Sequence, residues 1–113
     1  MEPRLKAEIW VKAFIRRCAV SDVPAVVVRR GDETAGAVLV RVNRLDGHSA
    51  VYVQTRRGDG TAIWTRGTGP EDVPDERAEA YLAKALRVDP DVWIVEVEDR
   101  EGRPFLDDVE EAG

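Results

Sequence analysis

Residues 25–66 read AVVVRRGDETAGAVLVRVNRLDGHSAVYVQTRRGDGTAIWTR. Four Val-rich or aromatic runs (AVVVRR, GAVLVRVNR, AVYVQTR and AIWTR) are separated by GDETA, LDGHS and GDGT. β-Branched and aromatic side chains suit the pleated surface of a strand. Paired Gly and Asp residues supply the positive φ angles and the side-chain caps of tight turns. The stretch therefore predicts four strands joined as an antiparallel meander. It also holds Arg30-Gly31-Asp32 and Arg57-Gly58-Asp59, a tripeptide that adhesion ligands use. Each copy falls where the chain must reverse, so both read as turn junctions. Arg29 and Arg56 stand beside these junctions and are expected to face solvent together.

Upstream, LKAEIWVKAFIRRCA sets Leu5, Ile9, Trp10, Ala13, Phe14 and Cys18 at helical spacing, with Lys6, Lys12 and Arg16 on the other face. A helix over residues 4–19 follows, interrupted at SDVP because the residue before a proline avoids the helical region. Downstream, GTGPEDVP (67–74) reads as a loop. Asp75 is the expected N-cap of a second helix, with Glu76 and Glu79 near the positive end of its dipole. Ala78, Tyr81, Leu82, Ala85 and Leu86 make one apolar stripe, and the helix must end before Pro90. DVWIVEVED then alternates as a fifth strand. The order is α-β-β-β-β-α-β, an α+β fold with an antiparallel sheet. Both helices are expected on one sheet face, leaving the other open. A chain of 113 residues makes one domain, with an ordered core over 4–104 and a tail, 105–113, expected to fray.

Charge is distributed unevenly. Residues 1–57 hold eleven Lys or Arg against six acids, whereas residues 89–113 hold two against ten. The acidic end can neutralise the basic half within the fold, or the two can meet across subunits. The net charge of −5 disfavours bulk attraction to nucleic acid. No apolar segment is long enough for a membrane span, MEPRLKAEIW lacks the apolar core of a leader peptide, and a lone Cys fits a reducing compartment. A cytoplasmic location is the expectation.

Chemistry-bearing residue types are scarce. His48 is the single imidazole and sits at a predicted hairpin tip, where nothing would hold a base in position. Cys18 lies on the apolar face of the first helix, where a thiol acts as a small hydrophobe. No catalytic residue and no cofactor are assigned. Glu96 and Glu98 share a strand face and could offer two oxygens to a metal, but a hard cation needs oxygens from several directions. Cross-strand pairing with arginines is the simpler expectation for them. GDETAG has neither the spacing nor the following helix of a phosphate-binding loop.

The remaining candidates lie on strands. Parity groups Leu39, Arg41 and Asn43; Tyr52, Gln54 and Arg56; and Trp64 with Arg66. If register aligns these sets, an open sheet face carries Arg41, Tyr52, Arg56, Trp64 and Arg66. Trp, Tyr and Arg dominate protein interfaces; arginines with aromatics also suit single-stranded nucleic acid. The bland alternative buries the aromatics and pairs the arginines with acids. A one-residue slip in register decides between them.

LKAEIWVKAFIRRC, VVRRGDETAGAVLVRVNRLDG and RVDPDVWIVEVEDREGR resemble the small alphaproteobacterial family known as domain of unknown function 1491, over roughly residues 4–103. The resemblance implies a bacterial, cytosolic single-domain protein and carries over no activity, cofactor or catalytic residue. The leading expectation is a non-enzymatic protein-binding or adaptor domain whose partner is a protein or a second copy. The alternative is a single-stranded nucleic-acid module, and a small enzyme or metal-binding protein using the carboxylates comes third.

Overall fold

A computed structural model describes residues 6–56, 58–59 and 62–110. The elements run α1 (Ala7–Val20), β1 (Ala25–Arg29), β2 (Val38–Asn43), β3 (His48–Arg56), β4 (Ala62–Arg66), β5 (Val73–Pro74), α2 (Asp75–Val88), β6 (Trp93–Glu98) and β7 (Val109–Glu110). The expected order stands, with the two-residue strands β5 and β7 added. The α+β class stands as well.

The sheet differs from a simple meander. Its order is β1-β6-β2-β3-β4-β7, with β5 against β3. The β2–β3 and β3–β4 hairpins form as expected, but β6 inserts between β1 and β2, antiparallel to the first and parallel to the second. β7 lies parallel to β4. The sheet is therefore mixed, which corrects the antiparallel expectation. The reason lies in the link between β1 and β2. Eight residues separate these strands, enough to reverse the chain around an intervening strand, whereas a two-residue turn would force neighbours to pair.

That link is built by the first Arg-Gly-Asp. The Asp32 carboxylate accepts from the Thr34 and Ala35 amides at 3.1 and 2.8 Å. The Asp32 amide donates to the Asp91 carbonyl, and Arg30 lies over the Trp93 ring while pairing with Glu8. Gly31 and Gly36 are needed for space: a Cβ on either would stand 2.7 or 2.9 Å from Trp93 Cδ1. The loop also caps α1, since the Glu33 and Thr34 carbonyls accept from the Glu8 and Ala7 amides. Arg57 of the second copy lies outside the described residues.

One helix covers each sheet face, correcting the expectation of two on one face. Val11, Phe14 and Cys18 of α1 pack in one cluster with Val38, Val40, Val42, Tyr52, Trp64, Trp93, Val95 and Val97. Ala78 and Leu82 of α2 pack in another with Leu39, Val51, Val73, Val92 and Ile94. Strand parity explains the split. β2 places Val38, Val40 and Val42 on one side and Leu39 on the other, and β6 does the same with Trp93, Val95 and Val97 against Ile94. A strand that is apolar at both parities needs cover on both faces.

The two sheet edges differ. β4 carries β7, whereas β1 is an outer strand with Val26, Val27 and Val28 exposed. Pro24 precedes it and its register shifts between Val27 and Arg29. Proline and a bulge both discourage further pairing at an edge.

Candidate functional site

Register decides the fate of the strand residues. Val40 faces Tyr52 and Arg41 faces Val51, while Tyr52 faces Arg66 and Gln54 faces Trp64. Tyr52, Gln54, Trp64 and Arg66 therefore share the α1 face, and Arg41 points to the α2 face. The side chain of Arg56 lies outside the described residues. Arg29, on β1, is separated from Arg56, on β3, by β6 and β2, and it donates to the Pro90 carbonyl at 2.9 Å.

Arg41 is enclosed at 8% exposure. Its guanidinium sits 3.3 Å from Asp75, 3.6 Å from Glu96 and 3.7 Å from Glu79, and its Nε donates to Ser49 Oγ. Ser49 Oγ in turn donates to Asp75 Oδ1 at 2.6 Å. Asp75 opens α2 without capping it and serves this network. Glu96 faces an arginine, and among the described residues no three His, Cys, Asp or Glu side chains are placed to hold a metal ion. Arg66 also pairs internally, with Asp72 and the Pro70 carbonyl, and its guanidinium lies over the Tyr52 ring. Burial pushes the Tyr52 hydroxyl pKa upward. Arg44 reaches the same Asp72 at 3.1 Å.

His48 is half exposed, with Nδ1 3.7 Å from Asp46 at the β2–β3 turn. Cys18 is fully buried, and burial pushes its thiol pKa up against a smaller downward pull from Arg17. A thiol in that state is a poor nucleophile. We expect a disulfide reagent to label native Cys18 at least about a hundredfold more slowly than the unfolded chain, because labelling must wait for opening. Equal rates would show that Cys18 is accessible in the folded protein.

One open concavity brings polar and aromatic groups together. A groove of about 340 Å³ runs between α1, the β3–β4 hairpin and the C-terminal segment. Its α1 wall is Trp10, Ala13, Phe14 and Arg17, at the i, i+3, i+4 and i+7 positions of one helical stripe. The cross-strand pair Gln54 and Trp64 forms the sheet side, and Leu106 to Asp108 form the third. Trp10 stacks on Phe14 at 5.1 Å and on Trp64 at 5.4 Å between centroids. Trp64, named from sequence, is thus a groove residue and a core residue together. Trp10 and Arg17 were absent from the sequence-based set, although Trp10 stood there at helical spacing with Phe14.

The C-terminal segment is anchored at a turn before it crosses the groove. Arg103 binds both Asp99 carboxylate oxygens at 3.0 Å, which holds the Asp99 pKa below the usual aspartate range. Arg17 then donates to the Phe105 carbonyl at 3.2 Å and to Asp107 at 3.1 Å. The Trp64 amide donates to the Asp108 carbonyl, starting the β4–β7 pairing. The stretch expected to fray runs along an edge strand as far as Glu110, and residues 111–113 lie outside the described residues. No helix among the described residues is long and apolar enough to cross a membrane.

The chain matches a protein family and superposes closely on solved structures. Residues 5–107 match the family described as "Protein of unknown function (DUF1491)". A crystal structure of a DUF1491 family protein from Caulobacter crescentus CB15 is 42% identical, with TM-score 0.85, covering 95% of this chain and all of that one. An NMR structure of a DUF1491 family protein from the same organism is 41% identical, with TM-score 0.82, covering 96% of this chain and 99% of that one. A solution structure of an A. tumefaciens protein is 29% identical, with TM-score 0.76, covering 97% and 100%. No curated protein matches.

Proposed function

The chain belongs to the DUF1491 family, and from that premise we propose that it is a non-enzymatic protein-binding domain whose partner docks in the groove between α1 and the β3–β4 hairpin. The family description assigns no activity, so the reading rests on the residues. The observation that carries it is the groove lining: two tryptophans, a phenylalanine, an arginine and a glutamine around about 340 Å³ of open space. Trp and Arg are the residue types that supply most binding energy at protein interfaces, and they do so when a pocket excludes water around them. Gln54 and Arg17 add polar groups that can fix a partner's orientation.

The single-stranded nucleic-acid alternative asked for an open basic sheet face. Each face carries a helix cluster, and Arg41 and Arg66 are engaged by acids, so no observation favours that reading over the first. A carboxylate-based site is likewise unsupported, because Glu96 is turned toward Arg41.

Ala13 gives the cleanest test. It lines the groove yet is exposed on α1, so Ala13→Arg fills the space without opening the core. Proteins retained from native, nuclease-treated lysate by the wild-type chain are expected to fall at least tenfold with Ala13→Arg, while the melting temperature stays within about 2 °C, as for an exposed helix site. An identical set retained by the variant would remove the groove from the function.

A further inference from the structure

We infer that the chain's own segment 104–110, which forms the third wall of the groove, is a resident strand that an extended acidic peptide displaces. This rests on the groove being the binding site, and it names the partner's chemistry. Three features of the segment carry the inference. It is an acidic segment, PFLDDVE, closing a groove whose α1 wall carries the exposed, cationic Arg17. Phe105 and Leu106 pack against the α1 cluster, and the segment's polar contacts are those of a bound peptide. One carbonyl and one carboxylate go to Arg17, one carbonyl goes to the Trp64 amide, and two residues pair in parallel with β4. Adding a strand to an exposed sheet edge is a recurrent mode of peptide recognition, in which the main chain supplies affinity and alternate side chains supply specificity.

The third feature is that the segment's fit is imperfect. Phe105 and Asp108 both hold left-handed backbone angles, φ 57° and 55°, which residues with side chains adopt at a cost. Asp107 is 78% exposed on its side chain, and Asp108, Val109 and Glu110 are exposed too. Tethering compensates, since a linked strand faces the groove at an effective concentration in the millimolar range. An untethered strand of the same chemistry need not bend at either position. It competes by having more favourable geometry, and the acids of a partner replace Asp107 on Arg17. Asp107 on Arg17 is one of the contacts, with Glu96 on Arg41, that join the acidic end to the basic half.

A synthetic peptide of residues 104–110 is the probe, titrated into the full chain and into Asp107→Lys, which sets a like charge against Arg17. The indole N–H signals of Trp10 and Trp64 report the groove, and that of the buried Trp93 is the internal control. The peptide is expected to shift the two groove signals and leave Trp93 unmoved. Half-saturation should come at least tenfold lower in Asp107→Lys than in wild type, because the tethered competitor is weakened. A peptide with both aspartates changed to asparagine should bind at least fivefold more weakly. Absence of groove shifts in either protein overturns the inference, as does equal affinity for the neutral peptide or for the two proteins. If Ala13→Arg abolishes lysate capture while the acidic peptide stays inert, the groove reading stands and the acidic-partner inference falls. If Ala13→Arg leaves capture unchanged, the reading beneath both falls.

Discussion

Trp93→Ala is expected to cost about 3–5 kcal/mol of stability, the range for emptying a buried aromatic site. Trp93 is 2% exposed and is the largest of the fully buried side chains. Its ring belongs to the cluster under α1, its Nε1 donates to the Asp32 carbonyl at 2.7 Å, and Arg30 lies 5.3 Å above its centroid. The indole thus ties three things together: the core, the loop between β1 and β2, and the ion pair from Arg30 to Glu8 on α1. Truncation removes all three at once. For a domain of this size each kcal/mol shifts the melting point by roughly 4–6 °C, so a fall of roughly 12–30 °C is expected. Trp93→Phe separates packing from hydrogen bonding. It keeps most of the volume and loses the donor, so it should cost only about 1–2 kcal/mol. Chemical denaturation of the three proteins settles the matter. A loss below about 1 kcal/mol for the alanine variant would show that the loop does not depend on the indole.

The same residue illustrates what could be read in advance. Helices and strands were legible because each has a local period: the stripe from Ala78 to Leu86 and a strand over Trp93–Glu98 form as read, although Ile94 is buried on the face expected to be open. Pairing partners were not, since β6 reaches its place between β1 and β2 only by contacts 50 or more residues apart. One further signal of the pairing lies in the sequence. Val38-Leu39-Val40 and Trp93-Ile94-Val95 are apolar at consecutive positions, and such runs mark strands covered on both faces. That signal was enough to put α1 and α2 on opposite sides. It also bears on the candidate site, because Tyr52 and Trp64 sit beneath α1 once both faces are covered. The groove itself had no signature in the sequence, being formed by side chains from α1, the β3–β4 hairpin and a C-terminal segment that reads locally as a loose end. Trp10 read as a core residue, and its stacking on Trp64 depends on where α1 crosses the sheet.

Arg41→Met is the second large effect, expected at about 2–4 kcal/mol. Methionine matches the aliphatic stem and leaves little cavity, so the loss is electrostatic. Asp75 and Glu96 are then left partly buried, at 35% and 23% side-chain exposure, without their cation. Removing one member of a buried ion cluster typically costs about 3–5 kcal/mol, and the partial exposure of these acids moves the expectation toward the lower end. Ser49 Oγ also loses the donor at 3.2 Å, though it keeps Asp75 as acceptor. The cost should therefore be partly recoverable by removing a charge: Glu96→Gln in the Arg41→Met background is expected to return about 1 kcal/mol, whereas Glu96→Gln alone destabilises. A double-mutant cycle by denaturant unfolding measures that coupling. Arg41→Lys adds a geometric test, since an ammonium keeps the charge and cannot fork among three carboxylates and a hydroxyl; it should fall between wild type and methionine. If Arg41→Met is instead as stable as wild type, the cluster spends its attraction on desolvation. Arg41 would then serve to fix where α2 docks on the sheet, with Asp75 and Glu79 of α2 facing Glu96 of β6 across a single guanidinium.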